Sequence, residues 1–100
     1  MDDPRQTISN VNRLLAEVRE IAELLPLPPG VPGRTDRICA LARSIAYNAP
    51  NHVSADLAKK VRSEAREVES RRINTYLSHL KAELEEVKRT CTADSSGRDA

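Results

Sequence analysis

The apolar positions along this chain recur at helical spacing. Ile8, Val11, Leu15, Val18, Ala22 and Leu25 fall at alternating steps of three and four, and Leu14 and Ile21 widen the stripe. The pattern predicts a helix over residues 4–25, with Pro4 in its first turn, where a missing N–H costs nothing, and Asp2 or Asp3 available as its cap. The run Pro26-Leu27-Pro28-Pro29-Gly30-Val31-Pro32-Gly33 holds four prolines and two glycines and ends it. That run reads as a stiff connector pinned to the core by Leu27 and Val31. A second helix is expected over 35–48, capped by Thr35 or Asp36, with Ile38, Leu41, Ala42 and Ile45 on its apolar face. Pro50 stops it by biasing Ala49 away from helix.

Ser54 is a fitting N-cap for a third helix, and no glycine or proline follows until the chain's last few residues. Residues 54–90 therefore read as one helix, about 55 Å long at 1.5 Å per residue. Its stripe is not continuous. Leu57, Val61, Ala65 and Val68 serve the first half, and Ile73, Leu77, Leu80, Leu84 and Val87 the second. The step of five from Val68 to Ile73 rotates the stripe by about 140°. We read this as a helix bent near residues 69–72 that shows different faces to different neighbours. The fold class expected is all-α: three helices over about 4–25, 35–48 and 54–90, packed as a small antiparallel bundle. Residues 1–90 form a single domain, and the small polar residues 91–100 a disordered tail.

Composition adds a weakness and an exclusion. The chain has no Phe or Trp, and Tyr47 and Tyr76 are its aromatic residues, so its core is thin for 100 residues. Association would offset that. The even heptad steps of Ile73, Leu77, Leu80, Leu84 and Val87 make them the candidate seam for a protein partner or a homodimer, unless they pack against the first helix. Charged residues make up 31% of the chain with a net charge of +1, which suits a solvated helical surface and disfavours a polybasic membrane binder. No apolar run approaches the length of a membrane span, and a cytoplasmic protein with two free thiols is expected.

Candidate chemistry is sparse. His52 and His79 have no spacing that links them to Cys39 or Cys91, and Glu83, Glu85 and Glu86 are flanked by Lys81, Lys88 and Arg89. No catalytic residues, metal ligands or cofactor are expected. The most suggestive polar feature is basic: Lys59, Arg62 and Arg66 share a helix face, and Arg71 and Arg72 follow, so this face could meet phosphates or an acidic partner. The second helix, the turn from Asn48 to Val53 and the entry Val53-Ser54-Ala55-Asp56-Leu57-Ala58 resemble a loose helix-turn-helix. In that arrangement Lys59 and Arg62 would face DNA, although the turn is longer than usual. The leading expectation is a non-catalytic protein-interaction module of the adaptor, chaperone or inhibitor kind, such as mobile elements carry. The alternative is a nucleic-acid-binding regulator.

Overall fold

The computed structural model describes residues 4–28, 30–65 and 71–99, with side chains for residues 5–28, 30–65 and 71–91. Among the described residues the chain forms four helices: α1 (Pro4–Leu24), α2 (Arg34–Asn48), α3 (His52–Glu64) and α4 (Arg71–Asp99). The all-α expectation holds and the count of three does not. The expected third helix is two helices that pack on each other. They run antiparallel: Asn51 at the start of α3 meets Glu83 well along α4, and Glu64 at the end of α3 meets Arg72 at the start of α4. A bent single helix cannot make both contacts. The physical reason lies in the five-residue step. Val61 and Ala65 before it, and Ile73 and Leu77 after it, all enter one core. A straight helix would point the two pairs about 120° apart on average, so the chain reverses instead.

α2 is antiparallel to α1, because Asn10 near the start of α1 donates to the Asn48 carbonyl at the end of α2 (3.1 Å). Each helix packs on two neighbours, α1 on α2 and α4, α3 on α2 and α4, and α1 and α3 sit on the diagonal. The result is an up-down-up-down bundle. Its Cα trace measures 53 × 20 × 19 Å. The core is a heptad-like set from all four helices. It comprises Val11, Leu14, Val18, Ile21 and Leu25, then Ile38, Leu41, Ala42 and Ile45, then Ala58, Val61 and Ala65, then Ile73, Leu77, Leu80 and Leu84.

The helix starts differ from those expected. α2 begins at Arg34, and its N-cap is Gly33 with φ 82°, a left-handed conformation that glycine adopts without strain. Thr35 and Asp36 fall inside the first turn, where the Asp36 carboxylate suits the positive end of the helix dipole. α3 is capped by Asn51 rather than Ser54. The Asn51 carboxamide oxygen accepts from the Ser54 N–H (2.9 Å), the fully buried Ser54 hydroxyl lies 2.7 Å from the same oxygen, and the Asn51 amide donates to Glu83 (3.0 Å). Asn51 thus both starts α3 and ties it to α4. Asn51→Ala is expected to lower stability by about 1–2 kcal/mol in urea denaturation. Glu83→Ala, which leaves the cap in place, is expected to cost under about 1 kcal/mol.

The proline-rich connector is a succession of turns. Leu27 N–H donates to the Leu24 carbonyl, Val31 to Pro28 and Arg34 to Val31. Leu27 is exposed rather than pinned to the core, and Val31 is half-buried. What ties the connector down is Arg34, 3% exposed, whose guanidinium donates to the carbonyls of Leu24 (3.1 Å) and Leu25 (3.1 Å). At the other end of the bundle α4 continues as helix through Asp99, across the residues that composition reads as a tail.

Candidate functional site

The stripe expected to serve a partner is used inside the chain. Ile73, Leu77, Leu80 and Leu84 are buried in the core and Val87 packs half-buried against it. Of the two uses the sequence left open, packing against the first helix is the one present. No outside partner can reach Leu80 or Leu84 without opening the bundle.

The basic residues divide between two sides of α3. Lys59 and Arg62 are exposed and line a shallow depression between α2 and α3 together with Asp36, Cys39 and Ser63. Lys60 and Glu64 lie on the other side, towards α4. The Lys60 ammonium sits 5.8 Å from the Tyr76 ring centre, and Glu64 pairs with Arg72 at 3.5 Å. Arg71 is exposed in the first turn of α4. Arg66 lies outside the described residues. The turn between α2 and α3 is the three residues Ala49, Pro50 and Asn51, shorter than Asn48 to Val53 and within helix-turn-helix length. The crossing angle does not follow. A helix-turn-helix sets its helices at about 90–120°. Asp36 and Cys39 near the start of α2 line one depression with Arg62 and Ser63 near the end of α3, so these two helices run antiparallel instead.

The surface that sequence reasoning missed lies between α1 and α4. Leu15, Val18 and Ala22 of α1 and Leu77 of α4 floor a groove of about 470 Å³. Arg19 rises from the α1 side, and Asn74, Ser78, Lys81 and Glu85 from the α4 side. The signal was present in the width of the first stripe. Its core line is Val11, Leu14, Val18, Ile21 and Leu25, while Leu15 and Ala22, placed in the seam by sequence, are half-buried and exposed. The extra width faces the groove. Arg19, Lys81 and Glu85 are exposed, and among the described residues none of the three has an ion-pair partner.

Other polar groups serve the fold. Glu20 of α1 accepts from Arg37 of α2 through both carboxylate oxygens (2.5 and 3.1 Å). The hydrogen bond from Arg37 outweighs desolvation and, with a further contribution from the Arg37 charge, holds the Glu20 carboxyl below the usual carboxylate range. A carboxyl with a depressed folded-state pKa adds stability above its unfolded pKa, and this is lost as pH falls through the lower, folded value. The pair is exposed, so the effect is small. Glu20→Gln is expected to lower stability slightly near neutrality, where the pair is intact, and to flatten the acid limb below about pH 5, so that variant and wild type converge at low pH. His52 and His79 are exposed, and Cys39 and Cys91 are half-buried free thiols. Among the described residues no three His, Cys, Asp or Glu side chains group to hold a metal ion, and no helix is long and apolar enough to cross a membrane. Comparison with protein-family models, with curated proteins and with solved structures finds no match to this chain.

Proposed function

We propose that this protein is a non-catalytic, cytoplasmic interaction module of the adaptor or inhibitor kind, which binds another protein through the α1–α4 face. The observation that carries this reading is the groove itself. Beside the core residues Val18 and Leu77, half-buried Leu15 and exposed Ala22 leave apolar surface open between two helices, rimmed by charged groups that have no ion-pair partner among the described residues. That combination of an apolar centre and a polar rim is how protein interfaces are built. Two free thiols suit a reducing compartment. The expectation of a homodimer rested on the α4 stripe needing a cover. With Ile73, Leu77, Leu80 and Leu84 covered from within the chain, a different protein is the better partner.

A photo-crosslinking side chain placed at Ala22 tests the reading in the cells from which the protein comes. The expected result is a discrete crosslinked protein that is absent when the same group is placed at Lys59, on the far side of the bundle. Equal crosslinking from both positions, or none from Ala22, overturns it.

The second reading is nucleic-acid binding through Lys59 and Arg62, which lie side by side and exposed on the α2–α3 depression. Asp36 in the same depression works against it. A mobility shift that weakens steeply with salt and is lost in the Lys59→Ala/Arg62→Ala double variant would favour this reading. Absence of binding at low salt would end it.

A further inference from the structure

The charges on the α1–α4 groove specify what fits it. Arg19 stands on the α1 side and Lys81 on the α4 side, with Leu15, Val18, Ala22 and Leu77 as the floor between them. Both cations are exposed, and among the described residues neither is paired with a carboxylate. Ala22 and Ser78 are small, so a helix backbone can approach closely at that end, while Leu15 fills the other. Glu85 lies one turn beyond Lys81 on α4 and gives the groove a polarity along its length.

We propose that the groove seats one amphipathic helix of a partner protein. That helix carries leucine- and alanine-sized residues at i, i+3 or i+4 and i+7, and acidic residues on both flanks of that stripe. The apolar stripe lies along Leu15 to Ala22, its carboxylates meet Arg19 on one side and Lys81 on the other, and a basic residue at one end meets Glu85 and sets the direction. This is helix-in-groove recognition with charge complementarity fixing the register. A second copy of this chain fits the groove poorly. An isologous contact repeats a patch against itself, so copies centred here would set cation against cation. The inference rests on the interaction-module reading and adds to it the partner's chemistry.

The test uses two synthetic helices of about five turns with the same Leu/Ala stripe, one flanked by Glu and one by Lys. Their binding to the full chain is read by fluorescence anisotropy. The Glu-flanked helix is expected to bind at least about tenfold more tightly. The advantage should shrink with salt and reverse in the Arg19→Glu/Lys81→Glu double variant. Both positions are exposed, so the variant should melt as the wild type does. Arg19→Gln/Lys81→Gln, expected to erase the preference, serves if it does not. Equal binding of the two helices, tighter binding of the Lys-flanked one, or no binding of either overturns the proposal. So does a wild-type dimer that the double variant dissociates, which would make a second copy the occupant. If the Ala22 crosslink persists in the double variant and the helices show no preference, the interaction module stands and this occupant falls.

Discussion

Leu80→Asp is expected to abolish folding at every protein concentration rather than to release a folded monomer from a dimer. Leu80 is fully buried in the core with Ile73 and Leu84. An unpaired carboxylate there has no cation within the apolar cluster, and burying it costs several kcal/mol. A small domain has a total stability of about 5–15 kcal/mol, and this one has neither Phe nor Trp to add to it. Circular dichroism should therefore show loss of cooperative unfolding. The milder Leu80→Ala should cost about 2–5 kcal/mol through lost burial and the cavity left behind, lowering the melting temperature by roughly 10 °C or more. As a control, Ala22→Asp on the groove should cost only about 1 kcal/mol, through lower helix propensity and a carboxylate near the negative end of the α1 dipole. A folded, monomeric Leu80→Asp variant, together with a wild-type melting temperature that rises with concentration, would return the α4 stripe to the role of a dimer seam.

The stripes on α2 and α4 were legible in the sequence because a helix that faces one core needs one line of apolar residues. Ile38, Leu41, Ala42 and Ile45 lie in the core as their spacing implied, and so do Ile73, Leu77, Leu80 and Leu84. The break between α3 and α4 was signalled but misread. Glu69, Ser70, Arg71 and Arg72 contain no helix breaker, so nothing local stops a helix there. Only the demand that Val61 and Ile73 share a core forces the reversal, and that demand is tertiary. The cap of α3 was ambiguous for a related reason. Asn51 and Ser54 are both favoured N-caps three residues apart, and the pair acts jointly, with Asn51 outside the helix and Ser54 inside it. The groove residues were hidden by sequence distance. Arg19 and Lys81 look like ordinary surface charges until α1 and α4 lie side by side. Leu15 and Ala22 were visible, but a stripe wide enough for a core and a groove reads as one broad core face.

Arg34 was the least legible residue and carries the second large expected effect. In the sequence it is a cation following Gly33 at the end of a proline-rich run. In the fold it is buried with its guanidinium against the last carbonyls of α1, those of Leu24 and Leu25. The last turn of a helix leaves carbonyls without intrahelical partners and concentrates the negative end of the dipole. A planar guanidinium can serve two such carbonyls at once. Arg34 therefore caps α1 from the first residue of α2, and it sets the angle at which the connector returns. Arg34→Ala should strand the Leu25 carbonyl, leave that of Leu24 to the Leu27 N–H alone and open a void, at a cost of about 2–4 kcal/mol, or a fall in melting temperature of roughly 10–20 °C. Arg34→Lys keeps the charge beside the dipole but cannot hold both carbonyls in the same geometry, so it should fall between alanine and wild type. Thermal and urea unfolding of the three proteins gives the order. If lysine matches wild type, the charge alone suffices. If alanine matches wild type, the turns at Leu27, Val31 and Arg34 hold the α1–α2 junction without the guanidinium, and the helix end is solvated instead.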